Sequence, residues 1–177
     1  MILSSHIITA SAVAAPLLAQ PINFINAIFI FLISFASHYI LDAIPHWDYK
    51  LNSFVKVLDE NGAYYGERKL ILQKKLLIKD LIKILFDFIV GLLAISLFFD
   101  FLNVFIVGLI IFASFLPDIL QVCYALLKHS RPKILEFERK FHHNVHGKRI
   151  FENKPILGII SQILTLLVII FLSKLLL

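Results

Sequence analysis

Several continuous apolar runs in this chain, "NAIFIFLISFA" and "LGIISQILTLLVIIFLS" among them, belong to segments of the roughly 20 residues that a helix needs to cross a bilayer core. No other feature restricts the fold so severely. In lipid each spanning segment must satisfy its own backbone polar groups. Runs that are continuous, with no alternation of apolar and polar residues, do so as helices and not as a barrel. Composition agrees: 59% of residues are hydrophobic and 16% charged, with a mean hydropathy of +0.87, against about 25% charged in soluble domains. The fold class is all-α, a polytopic integral membrane protein.

Along the 177 residues the pattern predicts five transmembrane or membrane-embedded helices, about 3–20, 22–44, 76–99, 103–127 and 155–176. Loops of about 45–75 and 128–154 separate them. No repeat or composition break divides the chain, so 1–177 reads as a single membrane domain. The first segment is rich in small residues and lacks the basic start of a signal peptide, which makes it a mature, shallow helix. Pro117 is expected to kink the fourth helix, and Pro155 suits the first turn of the fifth. The single Cys123 rules out an intrachain disulfide and a thiolate metal site.

Charge then orients the helices. Between the second and third lie Lys50, Lys56, Arg68, Lys69, Lys74, Lys75 and Lys79. Between the fourth and fifth lie Lys128, Arg131, Lys133, Arg139, Lys140, Lys148, Arg149 and Lys154. These are 15 of the 17 basic residues, and both loops fall on one side of five alternating helices. The positive-inside rule places that side, with the N-terminus, in the cytoplasm. Anionic lipid accounts for the net charge of +5, so no nucleic-acid partner is expected. Trp47, Tyr49, Tyr64 and Tyr65 suit an interfacial aromatic belt.

Ionisable residues from separate segments fall at a similar depth on this side. His38 and Asp42, in "SHYILD", are four apart and share a helix face, with His46 following just past Pro45. His6 begins the first helix, Asp118 follows Pro117, and His142, His143 and His146 form "FHHNVH" in the second basic loop. Asp87 lies two to three turns into the third helix. A carboxylate at such depth costs about 2.5–3.5 kcal/mol on insertion scales, so it marks function by default. The bland readings differ: His38 bonded only to Asp42, Pro117–Asp118 as a helix-end turn, Asp80 solvated or salt-bridged beside Lys79 and Lys83, and His129 as ordinary loop. The coincidence of depth favours a shared site.

Imidazole with carboxylate and no thiolate is the ligand mix of catalytic zinc, or of manganese or iron. The candidates His6, His38, Asp42, His46, Asp87, Asp118, His142 and His146 are too many for one ion. They suit two or three divalent ions, with Asp42 bridging and His143 as an outer partner or alternative ligand. Metals about 3.5–4 Å apart stabilise both attacking and leaving oxygens in phosphoester displacement.

The early His6, the "SHYILD" His-x-x-x-Asp, the "LPD" at Leu116–Asp118 and the "FHHNVH" cluster together resemble the YdjM-like membrane-bound metal-dependent hydrolases, small bacterial and archaeal inner-membrane proteins. The His-x-x-x-Asp followed by a further His is also similar to the trinuclear zinc site of zinc-dependent phospholipase C. In this chain the His-x-x-x-Asp precedes the Pro-Asp, and the cluster reads His-His-Asn-Val-His. The resemblance implies a metal-dependent hydrolase of the inner membrane.

The expected function is a phosphoesterase at the cytoplasmic leaflet. It would act on a lipid or amphiphilic phosphoester through a metal-activated water, with Asp42, Asp118 and His46 catalytic and zinc the first choice of metal. Arg139, Lys148 and Arg149 would hold an anionic headgroup, unless they serve only to orient the chain. A metal-ion or proton transporter would also bury His and Asp, but nearer the midplane and between repeats or broken helices. A non-catalytic metal-stabilised scaffold would saturate its ions with protein ligands.

Overall fold

The computed structural model describes residues 2–58, 64–99, 103–127, 131–146, 151 and 154–177, without the side chains of 64–66. The elements run α1 (Leu3–Leu18), α2 (Phe24–Ala43), β1 (Phe54–Leu58), β2 (Tyr64–Leu70), α3 (Lys74–Phe98), α4 (Val104–Leu126), α5 (Lys133–Val145) and α6 (Pro155–Leu175). Four of them, α2, α3, α4 and α6, are long and apolar enough to cross a membrane, while the apolar α1 is shorter. The chain is an all-α membrane protein whose five embedded helices match the apolar segments to within two residues at each end.

Local chemistry sets the boundaries. Asn23 caps α2 by accepting from Asn26 N, and Asn103 caps α4 by accepting from Phe105 N and Ile106 N. Ile44 is extended because Pro45 follows it, and α2 ends there. Pro117 lies inside α4, which continues through it as one helix.

The bundle is built around its least oily member. Eleven of the sixteen residues of α1 are buried, mostly Ala, Ser, Ile and Thr, and α1 packs against α2, α3, α4 and α6. Small residues let helix backbones approach closely, which drives association in lipid. At Gly91 of α3 an added Cβ would lie 2.6 Å from Ile7 Cδ1 and 3.1 Å from Ser4 Cα. The outer helices turn Leu, Ile and Phe outward instead: Phe24, Leu97, Val104 and Phe105 are more than four-fifths exposed. Apolar area on that scale suits a hydrocarbon solvent, not water.

Both basic loops carry structure beyond the sequence expectation. In the first, β1 and β2 form an antiparallel hairpin pairing Phe54 with Leu70, Val55 with Lys69 and Lys56 with Arg68. Asp80, expected to be solvated or salt-bridged, is buried, pairs with Lys83 at 3.6 Å and ties the hairpin to α3. Its carboxylate accepts from Asn52 N (3.0 Å), Ser53 N (2.7 Å) and Ser53 Oγ (2.6 Å). The second loop holds α5, an amphipathic helix against α4 and α2. Arg131 joins the two loops, donating to Glu67 Oε1 (3.0 Å) and Tyr124 Oη (2.9 Å). They therefore share one end of the bundle, where α1 begins and α2 ends. Trp47, expected in an interfacial belt, leaves no room for a Cβ at Gly158 of α6, and its carbonyl accepts from Gln162.

Candidate metal centre

At that end of the bundle Asp42 collects imidazoles from three helices. It lies on the last turn of α2, 1% exposed. His142 Nε2 is 3.0 Å and His38 Nε2 3.2 Å from its Oδ2, with His146 Nε2 at 3.8 Å. His6 Nε2 stands 3.4 Å from its Oδ1. The i,i+4 spacing of His38 and Asp42, and of His142 and His146, puts each pair on one face of α2 and α5. The ring of His6 stacks on His38, 3.9 Å between centroids. Asp118 of α4 approaches from the other side, 3.8 Å from His38 Nε2 and about half exposed.

Three sets of potential ligand atoms result among the described residues: His6–His38–Asp42, His38–Asp118–His142 and Asp42–His142–His146. Any two of the sets share one residue, His38, Asp42 or His142.

Nδ1 of His6 is buried without a hydrogen-bond partner, but three other rings have theirs committed. Nδ1 of His38 donates to the Ser114 carbonyl at 2.7 Å, Nδ1 of His142 to Glu138 at 3.3 Å, and Nδ1 of His46 to the Ile44 carbonyl at 2.7 Å. Such outer bonds fix the tautomer and leave Nε2 with a lone pair for a metal. His38 Nε2 is buried and makes no hydrogen bond. A buried ring nitrogen left so, beside a buried carboxylate, fits a divalent cation.

The second basic loop shows the electrostatic tension directly. Burial opposes charge on His142, but its hydrogen bonds to Asp42 and Glu138 prevail and raise it to about 9. Burial lowers His146 to about 2 and also lowers His46. With burial lowering His46 and His146, His142 is the ring that holds a proton against the carboxylates. A bound ion would displace that proton.

The remaining expected site residues divide. His46 and His143 line the cavity beside the cluster, and the His46 ring lies 4.9 Å from that of His146, but neither belongs to the three ligand sets. Asp87, expected among the ligands, lies elsewhere. It belongs to none of the sets, and its oxygens accept from Leu3 N (2.5 Å) and Ser4 N (3.3 Å). It caps α1 from the neighbouring helix, where the positive end of the dipole offsets a buried carboxylate. Tyr49 faces Asp87; burial first, then that charge, raises its phenol. Arg139 lines the cavity, its guanidinium 5.2 Å from the Tyr124 ring centroid. Lys148, Arg149 and His129 lie outside the described residues, as do the side chains of Tyr64 and Tyr65.

Sequence reasoning missed Glu138. It accepts from His142, from Gln121 Nε2 (2.7 Å) and from Tyr39 Oη (3.3 Å), joining α2, α4 and α5 behind the ligand rings. Its position four residues before His142 was the available signal. Ser114, whose carbonyl orients His38, carried no signal at all.

The cluster opens into a cavity of about 980 Å³. His6, Asp42, Asp118, His142 and His146 form one wall, hairpin residues such as Lys56 and Arg68 another, and apolar residues of α3 and α4 a third. Compared with protein-family models, curated proteins and solved structures, the chain matches none.

Proposed function

We propose that this chain is a membrane-embedded metal-dependent hydrolase of the YdjM-like kind. It would hold two or three divalent ions, zinc before manganese or iron, and cleave a phosphoester of a lipid or amphiphile. The observation that carries the reading is the three overlapping ligand sets around Asp42, set in the wall of a large cavity. A purely structural site would be closed on all sides by protein ligands.

His6, His38, Asp42, Asp118, His142 and His146 would hold the ions, with Asp42 shared. Bound there, the ions would supply an acidified water and positive charge for the leaving oxygen. Glu138 and the Ser114 carbonyl orient His142 and His38. His46 reaches the cavity beside His146 and is the neutral ring best placed to move a proton. Arg139 would meet a phosphate oxygen. By the positive-inside rule, this end of the bundle lies in the cytoplasm of a prokaryotic inner membrane.

The test is metal analysis of the purified protein with an anomalous difference map, beside hydrolysis of a water-soluble phosphoester. Two or three ions at Asp42 and metal-dependent turnover are expected. One saturated ion without turnover would overturn the enzyme and leave a scaffold.

One observation favours the transporter reading. Ser5 and Thr9 of α1 and Ser34 of α2, all buried, have hydroxyls without hydrogen-bond partners, and Thr9 and Ser34 lie one turn further into the bundle than His6 and His38. Thr9→Val with Ser34→Ala should leave hydrolysis intact. Loss of metal or proton flux in vesicles, with hydrolysis absent throughout, would decide for transport.

A further inference from the structure

The apolar wall of the cavity belongs to α3 and α4, two of the helices long and apolar enough to cross a membrane. α3 and α4 each pack on α1 but share no comparable seam with one another. They touch where Phe88 and Phe115 meet edge to face, 5.9 Å between centroids. From that contact toward the ligand cluster, Leu81 and Leu85 of α3 and Ile119 and Val122 of α4 line the cavity, yet they are 37–63% exposed. Apolar side chains that line a cavity and stay this exposed mark where it is open, here between two helices apolar enough to cross a membrane. The opening extends along α3 from Leu81 to Phe88, seven steps or about 10 Å at about 1.5 Å per residue.

Its roof is the hairpin. Asp80 fastens one side of the strap to α3 through Asn52 and Ser53, and Glu67 fastens the other through Arg131, which also bonds Tyr124 of α4. Lys56 and Arg68 of the strap and Arg139 of α5 line the same cavity. The slot is thus apolar toward lipid and carries cations and metal ligands at its inner end.

We infer that a membrane amphiphile with a phosphate headgroup reaches the ligand cluster sideways, through the slot between α3 and α4. Its apolar tail lies along Leu81, Leu85, Ile119 and Val122 above the Phe88–Phe115 floor, and its headgroup lies beneath the hairpin among Lys56, Arg68 and Arg139. This rests on the hydrolase reading for what happens to the headgroup, but the path itself is a binding claim.

A diazirine-bearing hexadecyl phosphate, photoactivated with the zinc-loaded full chain in phosphatidylcholine nanodiscs, tests it. Labels are expected in the peptides containing Leu81–Phe88 and Phe115–Val122. Leu85→Trp with Ile119→Trp should reduce that labelling about tenfold, since losing the burial of about two methylenes has that effect. Zinc content should not change. Labels spread evenly over the outward faces of α2 and α6, or undiminished in the double variant, would overturn the slot. If that variant is not recovered, the wild-type map decides alone. Hydrolysis of water-soluble butyl phosphate on the same samples separates the two ideas: slot labelling without turnover removes the enzyme and keeps the slot, and turnover without slot labelling does the reverse.

Discussion

Asp42 and Asp87 are both carboxylates on apolar helices near the same end of the bundle, and both are buried. Their surroundings differ in kind. Asp87 meets the first backbone N–H groups of α1, donors that every helix leaves unsatisfied and that must be satisfied by something. Asp42 meets four imidazole nitrogens, of which His38 Nε2 makes no hydrogen bond. The first arrangement is complete as it stands. The second is the one that the proposed ions would complete. A buried charge in a membrane segment is therefore not by itself a mark of chemistry; what distinguishes the two is the kind of group that meets it, backbone N–H at Asp87 and imidazole nitrogen at Asp42.

The largest expected effect is at Asp42. Asp42→Asn should remove more than about one ion per chain, since ligand and bridge are lost together, and leave no measurable phosphoester hydrolysis. Chelation should lower the unfolding temperature of the native protein and not of this variant, because only a ligand bound to the folded state stabilises it. Full metal occupancy in Asp42→Asn would erase the contrast with Asp87.

Glu138→Gln comes next. It keeps every proposed ligand but weakens the acceptor behind His142, and outer partners of this type are worth about 10–100-fold in metal affinity. A zinc titration against a competing chelator measures it, and unchanged affinity would make Glu138 a packing residue. Asp87→Asn should leave metal content and turnover at native levels. It should cost about 1 kcal/mol of stability through the weakened cap, read as a lower melting temperature in detergent. Loss of an ion there would return Asp87 to the ligands. The smallest effect belongs to the exposed pair Glu136–Lys140 on the outer face of α5. Glu136→Gln should change neither melting temperature nor metal content, since exposed ion pairs contribute little.

Topology has its own check. In a Cys123→Ser background, a cysteine at Lys69 and one at Lys133 should react with a membrane-impermeant reagent from the same side, and one at Asn103 from the other. Reaction of Lys69 and Lys133 positions from opposite sides would contradict the shared end on which both basic loops meet.

Much of the bundle was legible because hydropathy and helix length are local quantities. The apolar runs placed α2, α3, α4 and α6, and Pro45 and Pro155 marked ends near those observed. The His-x-x-x-Asp and His-x-x-x-His spacings put His38 with Asp42, and His142 with His146, on common helix faces. The charge of the loops alone indicated that they share a side.

Depth along a helix, however, says nothing of rotation about it or of the neighbour it meets. Asp87 looked like Asp42 in sequence because both are acidic residues at comparable depth. Only the crossing of α1 and α3, tight enough to require Gly91, delivered the N–H groups of Leu3 and Ser4 to the one and left the other to the histidines. The hairpin and α5 were hidden for a related reason: both lie in polar, charged stretches, and they are held by partners distant in sequence, Ser53 by Asp80 and Glu67 by Arg131. Sequence by itself determined that polar groups must gather at one end of an apolar bundle. Tertiary packing decided which of them face one another, because ligand geometry depends on contacts between helices that no single segment encodes.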